Sequence, residues 1–186
     1  ILHPALKVEL VTRAAIGDLV TDGIDLALRF GPPPHSAAVA TRLLETRIVT
    51  VASPAYLRTK PRPLAPEDLQ HHDCIQFRDA TTGRPFSWEF QRGAETRPVA
   101  TTGRLTLTDV DTMLAACLAG GGIAQVMEFG VEDLLSSGQL VDLFPDWSDE
   151  VFPLYAVHPS RRHVPAKVRA FIDFSRTALG SPQNGT

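Results

Sequence analysis

Residues 105–127 read Leu-Thr-Leu-Thr-Asp-Val-Asp-Thr-Met-Leu-Ala-Ala-Cys-Leu-Ala-Gly-Gly-Gly-Ile-Ala-Gln-Val-Met. The alternation of Leu105 and Leu107 with Thr106 and Thr108 predicts a short strand ending near Thr108. Thr108 or Asp109 then opens a helix, because either side-chain oxygen can accept an amide hydrogen left free in the first turn. Val110, Met113, Leu114 and Cys117 recur on one face at helical spacing, with Leu118 alongside. Gly120-Gly121-Gly122 ends the helix, since glycine accepts the left-handed conformation a helix C-terminus needs. Residues 123–127 return to a sheet. This is a βαβ unit, and it brings the helix N-terminus, with its free amides and positive dipole end, to the sheet edge. Open α/β sheets bind ligands at that edge.

The same alternation of strands and helices runs outward in both directions. Towards the N-terminus, a strand is expected over 7–11, a short helix over 14–21, a turn at Asp22-Gly23 and a strand over 25–30. Pro32-Pro33-Pro34 forms a rigid loop. Residues 41–52 make a long β-rich stretch, punctuated by Ser53-Pro54. Short helices follow at 55–60 and 66–70, then strands at 74–77, 86–91, 97–101 and 104–107. Beyond the central unit come a helix over 128–136, strands over 140–144 and 151–158, and an amphipathic helix over 164–179 with Pro165 in its first turn. Residues 180–186 read as a frayed tail.

Composition excludes several classes. The 186 residues carry 44% hydrophobic and 21% charged side chains, which is ordinary for a globular protein. A net charge of −3 argues against this segment gripping nucleic acid by itself. Two cysteines, Cys74 and Cys117, are too few for a disulfide framework and predict buried free thiols in a reducing compartment. No apolar run is long enough to span a membrane. Because the chain opens abruptly on Ile1, without an initiator Met, it is expected to be a piece of a longer protein.

An ordered set of motifs then resembles a known family, the LysR-type transcriptional regulators. Asp22-Gly23-Ile24-Asp25-Leu26-Ala27-Leu28-Arg29-Phe30-Gly31 is similar to one of their signature strands, and Val51-Ala52-Ser53-Pro54-Ala55-Tyr56-Leu57 to their crossover. Pro66-Glu67-Asp68-Leu69 with His72-Asp73-Cys74, the 119–126 turn and strand, residues 134–143, and Leu154-Tyr155-Ala156-Val157-His158-Pro159-Ser160-Arg161-Arg162 continue the resemblance in order. It covers nearly the whole chain and only the effector-binding region of such regulators. It implies an α/β fold of two Rossmann-like lobes joined by two crossing strands, like the type 2 periplasmic binding proteins. The crossings are expected near Ala52–Ser53 and His158–Pro159. Lobe I would comprise 1–53 plus 160–180, lacking its first strand and helix; lobe II would be 54–159, with 181–186 a disordered tail.

Strand ends and helix starts nominate the effector-binding residues. They are Thr12, Arg13, Arg29, Phe30, Ser53, Thr108, Asp109, Gln125 and Met127. Each has a structural alternative. Thr12, Ser53 and Thr108 suit turns and caps as well as ligands. Arg29 suits a salt bridge, and Met127 suits the core. An organic anion would fit Arg13 and the helix dipole, whereas Asp109 would oppose one unless it caps its own helix. His71-His72-Asp73-Cys74 is a poor metal site: adjacent histidines ahead of a strand point to opposite faces, and no second ligand cluster has zinc spacing. The triple glycine ends a helix instead of starting one, so it is neither a dinucleotide fingerprint nor a P-loop. The basic cluster Arg161-Arg162-His163 reads as a solvated helix start. No catalytic residue, metal or cofactor is expected.

The resemblance therefore implies a cytoplasmic effector-sensing domain that binds a small molecule in the interlobe cleft. It would act on DNA only through a winged helix-turn-helix that precedes the chain, and pair into a homodimer or tetramer by side-by-side contacts of lobe I with lobe II. Residues 14–21 and the helix after Asp109 would form those contacts. The alternative is a solute-binding receptor of a transport system, which shares the fold but needs an export signal. An enzyme is not expected, since no nucleophile, base and orienter occur together at a recognisable spacing.

Overall fold

The computed structural model describes Pro4 and residues 6–13, 17–31, 38–79, 82–159 and 164–179. The proline loop, the basic cluster and the tail expected above lie outside these residues. In chain order the elements are strands β1 (Ala27–Phe30) and β2 (Val39–Ala52), helix α1 (Pro54–Leu57), strands β3 (Gln76–Phe77), β4 (Trp88–Arg92), β5 (Glu95–Val99) and β6 (Thr106–Leu107) and helix α2 (Val110–Leu118). Strand β7 (Ala124–Met127), helix α3 (Glu132–Ser136), strands β8 (Val141–Asp142) and β9 (Val151–His158) and helix α4 (Ala166–Ala178) complete the chain. Two 3-10 turns, Pro66–His71 and Pro145–Trp147, join them. The chain divides into two compact units, Ile1–Glu45 with Phe152–Thr186, and Thr46–Val151. Both changes of unit fall ahead of the crossings expected at Ala52–Ser53 and His158–Pro159, the first within β2 and the second at the head of β9.

In the first unit β1 pairs antiparallel with β9, Phe30 lying opposite Leu154 and Ala27 opposite Val157. Strand β9 in turn neighbours β2. Buried Leu43, Leu154 and Ala156 from the strands pack with Val168 and Ile172 of α4, and Phe30 covers their edge. Helix α4 thus buries the stripe its periodicity predicts. Two expectations fail here. Residues 7–11 form no strand: Val8, Leu10 and Val11 are exposed in irregular chain. A strand holds its shape only by pairing, and no described neighbour supplies a ladder for them. The helix expected over 14–21 is absent from its described part, 17–21, where the chain turns instead. Asp18 Oδ1 accepts from the amides of Val20 and Thr21, and Gly23 at φ +67° ends the turn.

In the second unit β2 pairs antiparallel with β7 and, at its C-terminal end, with β8. Strands β3 and β6 pair in parallel, and a parallel bridge between Cys74 and Ile123 sets β3 between β6 and β7. The β6-α2-β7 crossover therefore steps over β3. Its helix buries Met113 and Cys117 against Val49, Val51, Ile75, Ala124 and Val126. Val110, expected on that stripe, is 51% exposed, because it sits in the first turn where the helix leaves the sheet edge. The opposite side of the unit packs Tyr56, Leu69, Trp88, Phe90 and Ile123, with Phe144 edge-on to Phe90. Helix α3 begins at Glu132, four residues later than expected, after a turn at Phe129-Gly130.

Two glycines let the β3 end of this unit close. Gly122 adopts φ +152°, and a Cβ there would meet the Asp73 carbonyl oxygen at 2.4 Å. A Cβ on Gly103 would lie 1.8 Å from the Cys74 oxygen. The backbone at 73–74 is thus flanked by glycine on both sides. That closeness permits the bonds Ile123 N to Asp73 O and Cys74 N to Thr102 O, both 2.9 Å.

Candidate functional site

Because β3, β6 and β7 run parallel, Phe77, Leu107 and Met127 all end at one edge of the second unit. Helix α2 starts there. Asp109, not Thr108, is its N-cap: Oδ2 accepts from the Thr112 amide at 2.7 Å and the Thr112 hydroxyl at 2.6 Å. The hydroxyl and amide of Thr112 hold the Asp109 carboxyl below the usual carboxylate range. A carboxylate therefore already occupies the helix start that an anionic ligand would need. Thr108 is exposed beside it, and its hydroxyl meets no partner among the described residues. Gln125 is half-buried in β7, and its Nε2 makes two long contacts of 3.5 Å, to Thr50 Oγ1 and Glu89 O. Met127 is half-buried opposite Ile48. Ser53 is buried and caps α1, accepting from the Tyr56 amide at 3.4 Å.

The residues nominated in the first unit divide by what they touch. Arg13 donates to Asp22 at 2.6 Å. Thr12 is exposed in irregular chain. Phe30 packs on the core of its unit. Arg29, half-buried in β1 opposite Tyr155, forms no ion pair among the described residues.

A concavity that the sequence reading did not find lies wholly in the second unit. A cavity of about 720 Å³ opens beside the β4–β5 hairpin. Gln76 of β3, Trp88 of β4, Val99 of β5, Thr101, Thr106 of β6 and the exposed Phe86 line it. None of the nominated residues does. Strand alternation could have suggested it: a glutamine in a strand as short and apolar as 74–77 is an unusual buried amide.

The thiols are inert in this setting. Burial pushes Cys74 up to about 12 and Cys117 up to about 11, far from the thiolate form a nucleophile needs. His71 is exposed and His72 buried against Tyr56, so the two rings point apart. Among the described residues no group of three His, Cys, Asp or Glu side chains could hold a metal ion, and no helix is long and apolar enough to cross a membrane.

The profile of the LysR substrate binding domain matches residues 2–180. The chain belongs to the LysR substrate-binding domain family. Its similarity to individual members is spread along its whole length. It is 36% identical over 177 residues to the HTH-type transcriptional regulator PtxR of Pseudomonas aeruginosa, covering 95% of this chain and 56% of PtxR. The full-length Vibrio cholerae virulence activator AphB superposes with a TM-score of 0.80 at 28% identity, over 96% of this chain and 60% of AphB. The regulatory domain of CrgA from Neisseria meningitidis matches with a TM-score of 0.76 at 28% identity, over 87% of this chain and 78% of that domain. The fold is thus that of LysR regulatory domains, type 2 periplasmic-binding-protein-like, as the motifs imply. This LysR domain spans somewhat more than half the length of the full-length relatives it matches. Those relatives are named for regulating transcription, so the transport-receptor alternative is not favoured.

Proposed function

We propose that this chain is the effector-sensing part of a longer LysR-type DNA-binding regulator. A small organic ligand binds it, and a winged helix-turn-helix outside the chain contacts DNA. The match to the LysR substrate-binding domain over residues 2–180 carries this reading. A net charge of −3 supports a division of labour in which the DNA contacts come from elsewhere.

Of the nominated residues, Arg29, Thr108 and Gln125 are kept as effector contacts, each on the strength of its own surroundings. Of the two nominated arginines, Arg13 is paired with Asp22 and Arg29 has no carboxylate partner among the described residues, so Arg29 is the nominated counter-charge for an organic anion. Arg13 and the start of α2 are engaged with Asp22 and Asp109 respectively, which removes the other two features that favoured an anion. Ser53 and Phe30 act through their cap and their core packing. A homodimer or tetramer in the cytoplasm completes the proposal. Of the two contact elements expected for it, α2 is helical and, within the described part of the other, residues 19–23 form a turn.

The test is fluorescence anisotropy of the full-length protein on DNA from upstream of its own reading frame, with and without a panel of small organic acids. Salt-sensitive, sequence-specific binding that one acid alters about 5–150-fold is expected, the range of coupling free energies between sites. Absence of sequence-specific DNA binding overturns the proposal.

A further inference from the structure

We infer that the cavity beside the β4–β5 hairpin is a second small-molecule site, contained in the Thr46–Val151 unit, that takes a neutral planar ligand bearing an N–H donor. It goes beyond the effector contacts proposed above, because neither Thr108 nor Gln125 lines it. Its centre is Gln76, only 7% exposed. The Gln76 Nε2 donates to Thr101 Oγ1 at 3.0 Å and, more weakly, to the Cys74 carbonyl at 3.4 Å. A carbonyl can only accept, so the amide nitrogen must face it and Oε1 must face away. Among the described residues no donor reaches Oε1. A buried amide oxygen without a donor is unfavourable, and the open cavity is the route by which a partner reaches it.

The lining sets the ligand class. Among the described residues no ionisable side chain borders the cavity. A charged ligand would lose its hydration there without meeting a counter-charge, so a neutral one is favoured. Hydroxyls of Ser87, Thr101 and Thr106 supply further donors and acceptors, and Phe86 and Trp88 supply flat apolar wall. Phe86 is stacked nearly parallel on Phe77, with centroids 6.2 Å apart and planes inclined by 10°, which fixes its ring. The volume of about 720 Å³ lies in the range of small-molecule sites. An aromatic primary amide meets each requirement: its N–H donates to Gln76 Oε1, its carbonyl accepts from a hydroxyl, and its ring covers Phe86.

The probe is benzamide, with isosteric but charged benzoate as control, titrated calorimetrically into the full-length protein. One benzamide per chain is expected, with benzoate at least about tenfold weaker. Gln76→Met should weaken benzamide about tenfold, the equivalent of one hydrogen bond. Ser87→Trp, at an exposed position that leaves the core intact, should abolish binding by filling the cavity. Thr108→Ala with Gln125→Ala should bind benzamide as the wild type does. Absence of binding up to the solubility limit overturns the inference. So does an affinity that Ser87→Trp leaves unchanged, or one lost in the Thr108→Ala, Gln125→Ala double variant, which would move the site to the effector contacts. Sequence-specific DNA binding is read separately on the same proteins, so failure of this site and failure of the regulator reading are told apart.

Discussion

The Tyr56 hydroxyl lies 3.1 Å from His72 Nδ1 and accepts from the Asp73 amide at 3.0 Å. If it donates to Nδ1, the ring is neutral with its proton on Nε2. Burial, followed by the nearby Lys60 charge, holds the His72 pKa below its ordinary value. The sign of the pH dependence follows. The unfolded chain takes up the histidine proton first, so stability from this group is intact above about pH 6.5 and falls as pH drops through the lower folded-state value. In Tyr56→Phe both partners lose their bond in a buried setting. We expect a loss of about 1–3 kcal/mol in urea unfolding at neutral pH. In His72→Gln the drop in stability below about pH 6.5 should shrink. Unfolding midpoints that keep the wild-type pH slope in His72→Gln would remove His72 as its source. Neither residue needs a ligand to explain it, although His71-His72-Asp73-Cys74 is the stretch where the sequence invites a metal.

At the scale of elements, the triple glycine does more than stop a helix. Gly120, at φ +86°, takes the left-handed turn after α2, as the sequence implies. Gly122 serves a contact nearly fifty residues away, against the Asp73 oxygen, which no local pattern announces. Gly122→Ala combines backbone strain, on the order of 1–3 kcal/mol, with that clash. It should lower the thermal midpoint more than Gly138→Ala, where φ is +72° but a Cβ meets nothing within 4 Å. Equal losses at the two positions would mean that strain alone matters. The contrast also explains which elements could be read in advance. Helices α2 and α4 and strands β1, β2, β7 and β9 carry their own periodicity and bury it locally. Residues 7–11 carry strand-like composition but lack a described partner, and 17–21 yield to the side chain of Asp18 and the freedom of Gly23. Partners decide such segments, and a single sequence does not state them.

On the scale of the whole molecule, the motifs made the family legible because they occur in order along nearly the full chain. The site was less legible, because a polar residue at a strand end looks the same whether it caps, pairs or waits for a ligand. Asp109, Ser53 and Arg13 turned out to have partners within the protein. Arg29 and Thr108 have none of that kind among the described residues. This difference makes the charge of the effector testable. Asp109→Asn keeps a cap oxygen but removes the negative charge at the start of α2. If the effector is an organic anion, Asp109→Asn should bind it more tightly. Arg29→Ala should bind it roughly ten- to hundredfold more weakly, the cost of a charge-assisted hydrogen bond. DNA affinity without effector should be unchanged in both, since neither residue contacts DNA in this reading. Linkage adds a second readout. Whatever factor the effector imposes on DNA affinity, DNA must impose the same factor on effector affinity. Titrating effector into free and DNA-bound protein therefore has to reproduce the coupling measured by anisotropy. If Asp109→Asn and Arg29→Ala both leave effector affinity unchanged while that reciprocity holds, the regulator reading stands and the anion is replaced by a neutral effector.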